Sequence, residues 1–395
     1  MNICLVSREY PPETGWGGIG TYTYNLAHGL SKLGHDVHVI AYAQDVETEY
    51  LDECVHICRI KEKEIRGLWR FEKYLPIQPI LYSIRVSKKI NELIDKFKIE
   101  IVEAPEWEGE AFWLSLNKKI PLVIRFHTPL FLIRQLNSLT INLRSRVLCW
   151  LEKVTSLRAD LLTSPSRIQA NLIAKTYKID LEKIKIFPNP IDCNFFRPRQ
   201  KELKMDSNVL YVGRLERRKG VHILAKAMPI VLSRFSDIQF TFIGHDTETS
   251  PNGGSMKEYI RHQVAGNRHI CFIDHIPRID LIDFYQKSSV CVFPSLWECF
   301  GYTPLEALAC GKPVIVTNTF GIAEFISNFV TTVPPNDPIA LANAIISFFS
   351  KEIAVRNEMG IVSRKAIERV FSREIVAKDA IKAYEASIKK RNATK

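Results

Sequence analysis

The sequence predicts an α/β protein built from two parallel-sheet domains, and three observations point there. Short apolar runs alternate with longer polar–apolar helical segments along most of the chain, the pattern of a parallel sheet covered by helices. The 395 residues exceed the length at which a single hydrophobic core usually stops growing. A polar, proline-containing stretch, FFRPRQKELKMDSN, separates two alternating series near the middle and marks the domain boundary.

Composition narrows the class. Hydrophobic residues make up 46% and charged residues 25%, which describes a globular enzyme and excludes a disordered chain. The nine cysteines form no C-x-x-C pairs, and several, such as Cys4, Cys271 and Cys291, sit in apolar runs. Buried, reduced thiols are therefore expected. The chain opens on a strand pattern, NICLVS, and holds no apolar run of about 18 residues, so a cytoplasmic location is expected. The net charge of +11 favours anionic substrates or surfaces and does not bear on fold. It is most uneven over 134–159, where Arg134, Arg144, Arg146, Lys153 and Arg158 face Glu152 alone. Zinc motifs and RNA-binding signatures are missing, so no nucleic-acid partner is expected.

In the first half, ICLVS, HDVHVIAY, EIVEA, PLVIRFH, ADLLTSPS and IKIFPN are predicted strands. The loop after the first carries Gly17 and Gly18 and leads into a helix beginning near Gly20 and Thr21. Two glycines let backbone approach a ligand closely, or simply make a turn. G-x-G-x-x-G is not present, so a dinucleotide fingerprint fails. Arg8 suits an anionic group or a solvated surface. Glu106 and Glu108 suit sugar hydroxyls with Trp107 on a sugar face, or a polar helix start. His127 ends PLVIRFH and projects from the carboxyl end of its strand, where open α/β sheets bind ligands; a lone histidine there is more often structural. The stretch after it, LFLIRQLNSLTINLRSRVLCWLEKVTSLRAD, is basic and amphipathic and suits an anionic interface or the capping of its own domain. Ser164 and Ser166 suit helix caps, and no nucleophile-elbow pattern surrounds them.

In the second half, the strand SNVLYVG runs into RLERRKG, which places Arg214 and Lys219 at a strand's carboxyl end. Two fixed cations there suit a diphosphate, although the P-loop order is absent. IQFTFIGH, HICFIDH, VCVFPS and PVIV are further strands. Between the last two lies the stretch on which the functional reading turns, PSLWECFGYTPLEALACGKPVIVTNTFGIAE (294–324). Glu298 and Gly301 lie in a polar–aromatic loop, and a small-residue helix follows. Glu306 suits either a ligand hydroxyl or a capping box, with Thr303 as N-cap and Pro304 at the first helical position. Glu298 has no such local explanation.

Glu298 and Glu306 form an E-x7-E pair inside PS…E-x-F-G…E-A-x-A-x-G-x-P-V-I, and residues 213–220 form a complete G-R-L-x-x-x-K-G. Together they resemble the signature of the retaining GT-B glycosyltransferases of family 4. Asn189 and Asp192 match that family's N-G-V-D element with Pro190 in place of glycine. Departures are His275, where glycine is usual, and Phe320, which replaces the first glycine of G-G-x-x-E and is expected to alter the surface that selects the donor sugar. The segment TTVPPNDPIALANAI matches the family's structural loop and helix.

The resemblance implies a GT-B fold: two Rossmann-like domains, 1–195 for the acceptor and 196–375 for the nucleotide sugar, facing a central cleft, with a terminal helix, 376–395, crossing back to the first. It implies that Gly17 and Gly18 lie over the donor phosphates and that His127 meets the anomeric centre without acting as an orthodox general base. Arg214, Lys219 and the backbone of Phe300, Gly301 and Tyr302 would hold the diphosphate end. Glu298 would bind sugar hydroxyls and stabilise positive charge at the anomeric carbon, and Glu306 would hold the ribose. The base would pack near Gly244 and the backbone of Ile276, with His245 and Asp246 nearby. Related enzymes use the basic stretch after His127 for acceptors and, in some, for membrane contact. The function implied is transfer of a hexose from a UDP- or GDP-linked donor to a saccharide or lipid-linked acceptor, with peripheral contact to an anionic membrane. No D-x-D motif is placed to carry a metal, and none is expected. The competing classes are a GT-B nucleotide-sugar epimerase and a non-catalytic basic protein that binds membrane or nucleic acid.

Overall fold

The apolar runs of the first half build one mostly parallel sheet. In chain order its strands are β1 (Asn2–Val6), β2 (Asp36–Tyr42), β3 (Thr48–Asp52), β4 (Val55–Ile60), β5 (Ile101–Pro105), β6 (Leu122–Arg125), β7 (Leu161–Ser164) and β8 (Ile184–Ile186). They lie in the order β3-β4-β2-β1-β5-β6-β7-β8. Only β3 runs antiparallel, against β4. The strands read as unbroken apolar runs because helices cover both faces of a parallel sheet. Tyr82, Val86, Ile90 and Leu93, at helical spacing on the helix Ile77–Phe97, share one core with Val6, Ile40, Val102 and Ile124. The β3–β4 hairpin was not foreseen from sequence: β3, TEYLD, is largely exposed and acidic, so it lacks the apolar signal of a buried strand.

The second half builds a separate sheet from β9 (Asn208–Val212), β10 (Gln239–Ile243), β11 (Ile270–Ile273), β12 (Val290–Phe293), β13 (Val314–Thr317) and β14 (Thr331–Val333). All its pairs are parallel, in the order β11-β10-β9-β12-β13-β14. Leu224, Met228 and Val231 of the helix Val221–Arg234 pack with Phe240, Phe242, Ile345 and Phe348.

These features come from a computed structural model that describes every residue except 63–64, 66, 138–139, 200–206, 265–266 and 394–395. Much of the polar stretch read as the domain boundary lies outside the described residues. The chain divides into one unit of Met1–Pro190 with Phe371–Lys395 and another of Ile191–Val370. Residues just after Pro190 belong with the second unit because Arg364 donates to the backbone carbonyls of Cys193 and Phe196, at 2.7 and 2.6 Å. Among the described residues no single helix is long and apolar enough to cross a membrane. All nine cysteines are free. Cys4 and Cys291 are buried as expected, but Cys271 is exposed because its strand, β11, forms the edge of the sheet.

The final helix, Arg373–Ala393, returns to the first unit. Gly29 makes the approach possible, since a Cβ there would fall 2.5 Å from the Arg373 carbonyl oxygen. Arg373 donates to Asn25 at 2.8 Å, and Arg391 pairs with Asp160 at 3.2 Å. At the centre lies Glu103 on β5, which accepts from Tyr384 at 2.7 Å and Tyr22 at 2.8 Å. Burial raises the Glu103 carboxyl, and Arg125 and the two phenols oppose that rise. A buried acceptor that loses a partner costs about 1–3 kcal/mol. Tyr384→Phe should therefore lower the stability of the first unit by about that amount in urea unfolding; a midpoint equal to that of the unaltered protein would contradict this docking.

Candidate active site

In the second unit the chain builds outward from β9 to β10 and β11, then crosses back to β12 on the other side of β9. The loops that leave β9 and β12 therefore diverge at a topological switch point, where doubly wound sheets bind ligands. Arg214 and Lys219 follow β9, and Glu298 follows β12.

Backbone contacts lock these two loops together. Gly220 adopts φ 67°, and a Cβ there would fall 1.8 Å from the Pro294 carbonyl oxygen, so only glycine permits the approach. Leu296 N–H donates to the Arg218 carbonyl at 2.9 Å. Glu298 is fixed from its other side, donating its N–H to Thr319 and accepting from Gly321 N–H at 3.0 Å.

The buried Glu298 carboxylate accepts from Lys219 Nζ and from Arg218 Nη1, the latter at 3.2 Å. Arg218 also pairs with Glu216 at 2.9 Å, and the exposed Arg214 reaches Glu216 at 3.3 Å. Burial alone would raise the Glu298 carboxyl, but Lys219 and Arg218 outweigh it and hold it at about 2. Burial pulls the Lys219 ammonium down, partly offset by Glu298. Arg218 and Glu216 were missed from sequence. Of the adjacent Arg217 and Arg218 only Arg218 turns inward, and nothing in the spacing says which arginine does so.

The helix after Glu298 spans Tyr302–Ala309 with Gly301 as N-cap and no side-chain cap. Thr303 is therefore inside the helix, and the capping box that is the alternative reading of Glu306 does not form. Glu306 instead accepts from Tyr285 at 3.0 Å and faces Arg278 at 3.6 Å. Burial raises its carboxyl, with Arg278 and Tyr285 opposing. Phe300 is buried. Gly301, at φ 99°, lies on the Phe320 ring, and a Cβ would come within 2.5 Å of it. Phe320 is itself buried, so its substitution for glycine shapes the loop from beneath rather than altering an open surface. At the ends of β10 and β11, Gly244 passes so close to Gly213 that a Cβ would lie 2.2 Å from its carbonyl oxygen. The His245 and His275 rings stack at 5.2 Å, next to the partly buried Ile276. Asp246 is taken up locally, accepting from Ser255 at 2.6 Å and Lys257 N–H at 3.0 Å.

The first unit has its own switch point, between β1 and β5. The helix after β1 starts at Gly18 with Gly17 as N-cap, earlier than the sequence suggested, because Glu9 meets its first turn. A Cβ on Gly17 would strike the Glu9 carboxylate at 1.9 Å, whereas Gly18 is open. Arg8 is partly buried and not free: it pairs with Glu108 at 3.2 Å and lies 4.6 Å over the Tyr82 ring. With Trp107, Glu9, Tyr42 and Glu110 it lines a cavity of about 370 Å³.

Glu106 turns inward instead of toward that cavity. It is fully buried, and both its oxygens accept from the His127 N–H at 2.9 Å, which corrects its placement among residues open to an acceptor. Burial raises Glu106 to about 8. His127 is also buried, edge-on to Tyr22 at 5.1 Å, and burial with Arg125 lowers it to about 3. Its imidazole is therefore neutral and a poor base. Asn189 accepts from Arg125 at 2.7 Å and so braces the floor of this site.

Residues 16–195 match the family model for Glycosyltransferase Family 4, and residues 194–366 match that for Glycosyl transferases group 1. An uncharacterized glycosyltransferase of Methanocaldococcus jannaschii is 24% identical over 416 residues, covering 98% of this chain and 99% of its own. A D-inositol 3-phosphate glycosyltransferase of Paenarthrobacter aurescens is 27% identical over 386 residues, or 91% of each chain. The structure of sucrose-phosphate synthase from Thermosynechococcus elongatus matches with TM-score 0.75 at 22% identity, over 98% of both chains, and its GT-B fold is the fold of this protein. With both halves matched in chain order, this chain belongs to the group 1 glycosyltransferases and is a GT-B enzyme of sugar transfer.

Proposed function

We propose that the enzyme is a retaining, metal-independent hexosyltransferase that uses a UDP- or GDP-linked sugar and a saccharide or lipid-linked acceptor. The observation that carries this is the charge cluster at the β9–β12 switch point. Arg214, Arg218 and Lys219 outnumber Glu216 and Glu298 there, which leaves a net positive charge where a diphosphate leaving group would develop its own. Fixed cations at that point lower the barrier to departure, and they supply the role a metal would otherwise take. The N-terminus of Tyr302–Ala309, with the backbone of Phe300 and Gly301, adds dipoles suited to phosphate.

The other assignments rest on the motif positions that carry the family resemblance. Glu306 holds the ribose, the base packs by Gly244 and Ile276, and Gly17 and Gly18 border the phosphates. Glu106 supports His127, which meets the transferred sugar as a neutral contact. Trp107 and Glu108 belong to the acceptor side. Glu298, tied to two cations and strongly acidic, is a weak nucleophile. It is suited instead to binding sugar hydroxyls and opposing positive charge at the anomeric carbon, which favours same-face transfer with the leaving phosphate as base.

The basic stretch after His127 supports a peripheral membrane contact. The inner face of the helix Leu143–Leu157 caps its own unit, with Leu148 and Leu151 in a small core and Glu152 accepting from two backbone amides. Its outer face exposes Leu143, Trp150 and Leu157, one heptad apart, beside the exposed Arg146 and Arg158. An apolar row flanked by cations suits an anionic lipid surface.

Glu298→Gln and Lys219→Ala should each lower kcat/KM about a hundredfold or more, read as nucleoside diphosphate released from a panel of UDP- and GDP-sugars. Normal turnover in Glu298→Gln would remove Glu298 from the transfer step. Proton NMR of the first-formed product should show the donor's anomeric configuration; the inverted anomer would refute the retaining route. Trp150→Glu should reduce sedimentation with phosphatidylglycerol vesicles about tenfold and spare turnover on a soluble acceptor. Undiminished sedimentation would exclude this face.

A further inference from the structure

At the amino-terminal ends of β2 and β4, three side chains with metal-binding atoms converge. The strands pair in parallel with His38 opposite His56. Asp36 precedes His38 by two residues and so shares its face. Asp36 Oδ1 lies 3.4 Å from His38 Nε2 and 3.7 Å from His56 Nε2, and one ligand atom from each residue falls within 4.8 Å of the others. The two imidazoles stack, with centroids 4.6 Å apart and planes 10° from parallel.

One polar atom here is unmet. His38 is 1% exposed, and its Nε2 has no partner in hydrogen-bond geometry. Phe97 packs against His38 at 4.4 Å and holds the ring in place. Asp36 and His56 are only partly covered, so an ion can enter from solvent.

We propose that Asp36, His38 and His56 bind a divalent transition cation of the zinc class. Bonds of about 2.0–2.1 Å to a tetrahedral centre give ligand-to-ligand edges of about 3.3–3.4 Å. The Asp36–His38 edge already has that length, and the Asp36–His56 edge exceeds it by a few tenths of an ångström. Rings stacked 10° from parallel do not aim both lone pairs at one point, and the half-exposed His56 is the ring free to swing. Two imidazole nitrogens with one carboxylate favour zinc, cobalt or nickel over magnesium or calcium, and water completes the coordination. Lys96, whose Nζ lies 4.8 Å from the Phe97 ring, is the nearby cation that opposes binding. Such an ion staples β2 to β4 at the end of the sheet opposite the β1 and β5 ligand loops. Its role is to stabilise the first unit, independently of the sugar-transfer assignment.

The full chain, stripped with EDTA and dialysed, would be titrated with zinc chloride alone by calorimetry and followed by thermal unfolding. One zinc per chain should bind with micromolar affinity and raise the unfolding midpoint by about 5–10 °C at a hundredfold excess over Kd, and magnesium should do neither. His56→Ala and Asp36→Asn, at partly exposed positions, should keep the far-ultraviolet circular dichroism of the unaltered protein and each weaken zinc binding at least about tenfold. Cobalt should give a visible spectrum without thiolate charge-transfer bands. Unchanged affinity in both variants, thiolate bands pointing to the cysteines, or no binding at hundred-micromolar zinc would each overturn the proposal.

Discussion

The buried charge cluster around Glu298 is the constraint on which the second unit's site depends. A carboxylate taken out of water is costly unless its charge is met. Here Lys219 and Arg218 meet it from the neighbouring loop, and Glu216 in turn occupies Arg218 and Arg214. The ion pairs thus hold together loops that arrive from two different strands. Gly220 makes the pairing possible by letting one loop rest on the Pro294 carbonyl. Removing one member of a buried pair costs about 3–5 kcal/mol because the other charge is left unmet. The cluster is therefore both a structural clasp and the cationic surface that a diphosphate would meet.

The first unit solves the same problem differently. Its buried carboxylates lack enough cations, and burial raises them: Glu106 and Glu110 to about 8, Glu152 well above the usual carboxylate range. Its histidine is neutral for the same reason. Around neutral pH this site offers mainly uncharged donors and acceptors on a rigid floor, a chemistry suited to sugar hydroxyls. The second unit offers fixed charge, a chemistry suited to phosphate. That division of chemistry follows from the number of cations each switch point brings to its carboxylates.

Much of this was legible in the sequence, for reasons that differ by element. Strands buried on both faces announce themselves as apolar runs, so β1, β5, β9, β12 and β13 were plain. β3 was not, because an exposed edge strand rich in acids lacks that pattern. Arg214, Lys219 and Glu298 were found as motif positions, and Lys219 and Glu298 do touch. Arg218 was hidden, because which of two adjacent arginines turns inward is decided by the turn that ends at Gly220. Glu306 was read against a local cap, yet its partners, Tyr285 and Arg278, come from a distant helix that no local pattern ties to it. Glu106 was misplaced because sequence shows a carboxylate's position along a strand end but not whether it turns inward beneath a histidine.

The most direct test of the central claim is calorimetric titration of UDP and GDP into the unaltered protein and into Arg214→Glu, whose position is exposed enough to tolerate the change. At least one nucleotide should bind, more weakly as salt rises and at least about tenfold more weakly after charge reversal. Binding that is indifferent to both salt and the sign of the charge at Arg214 would contradict the claim.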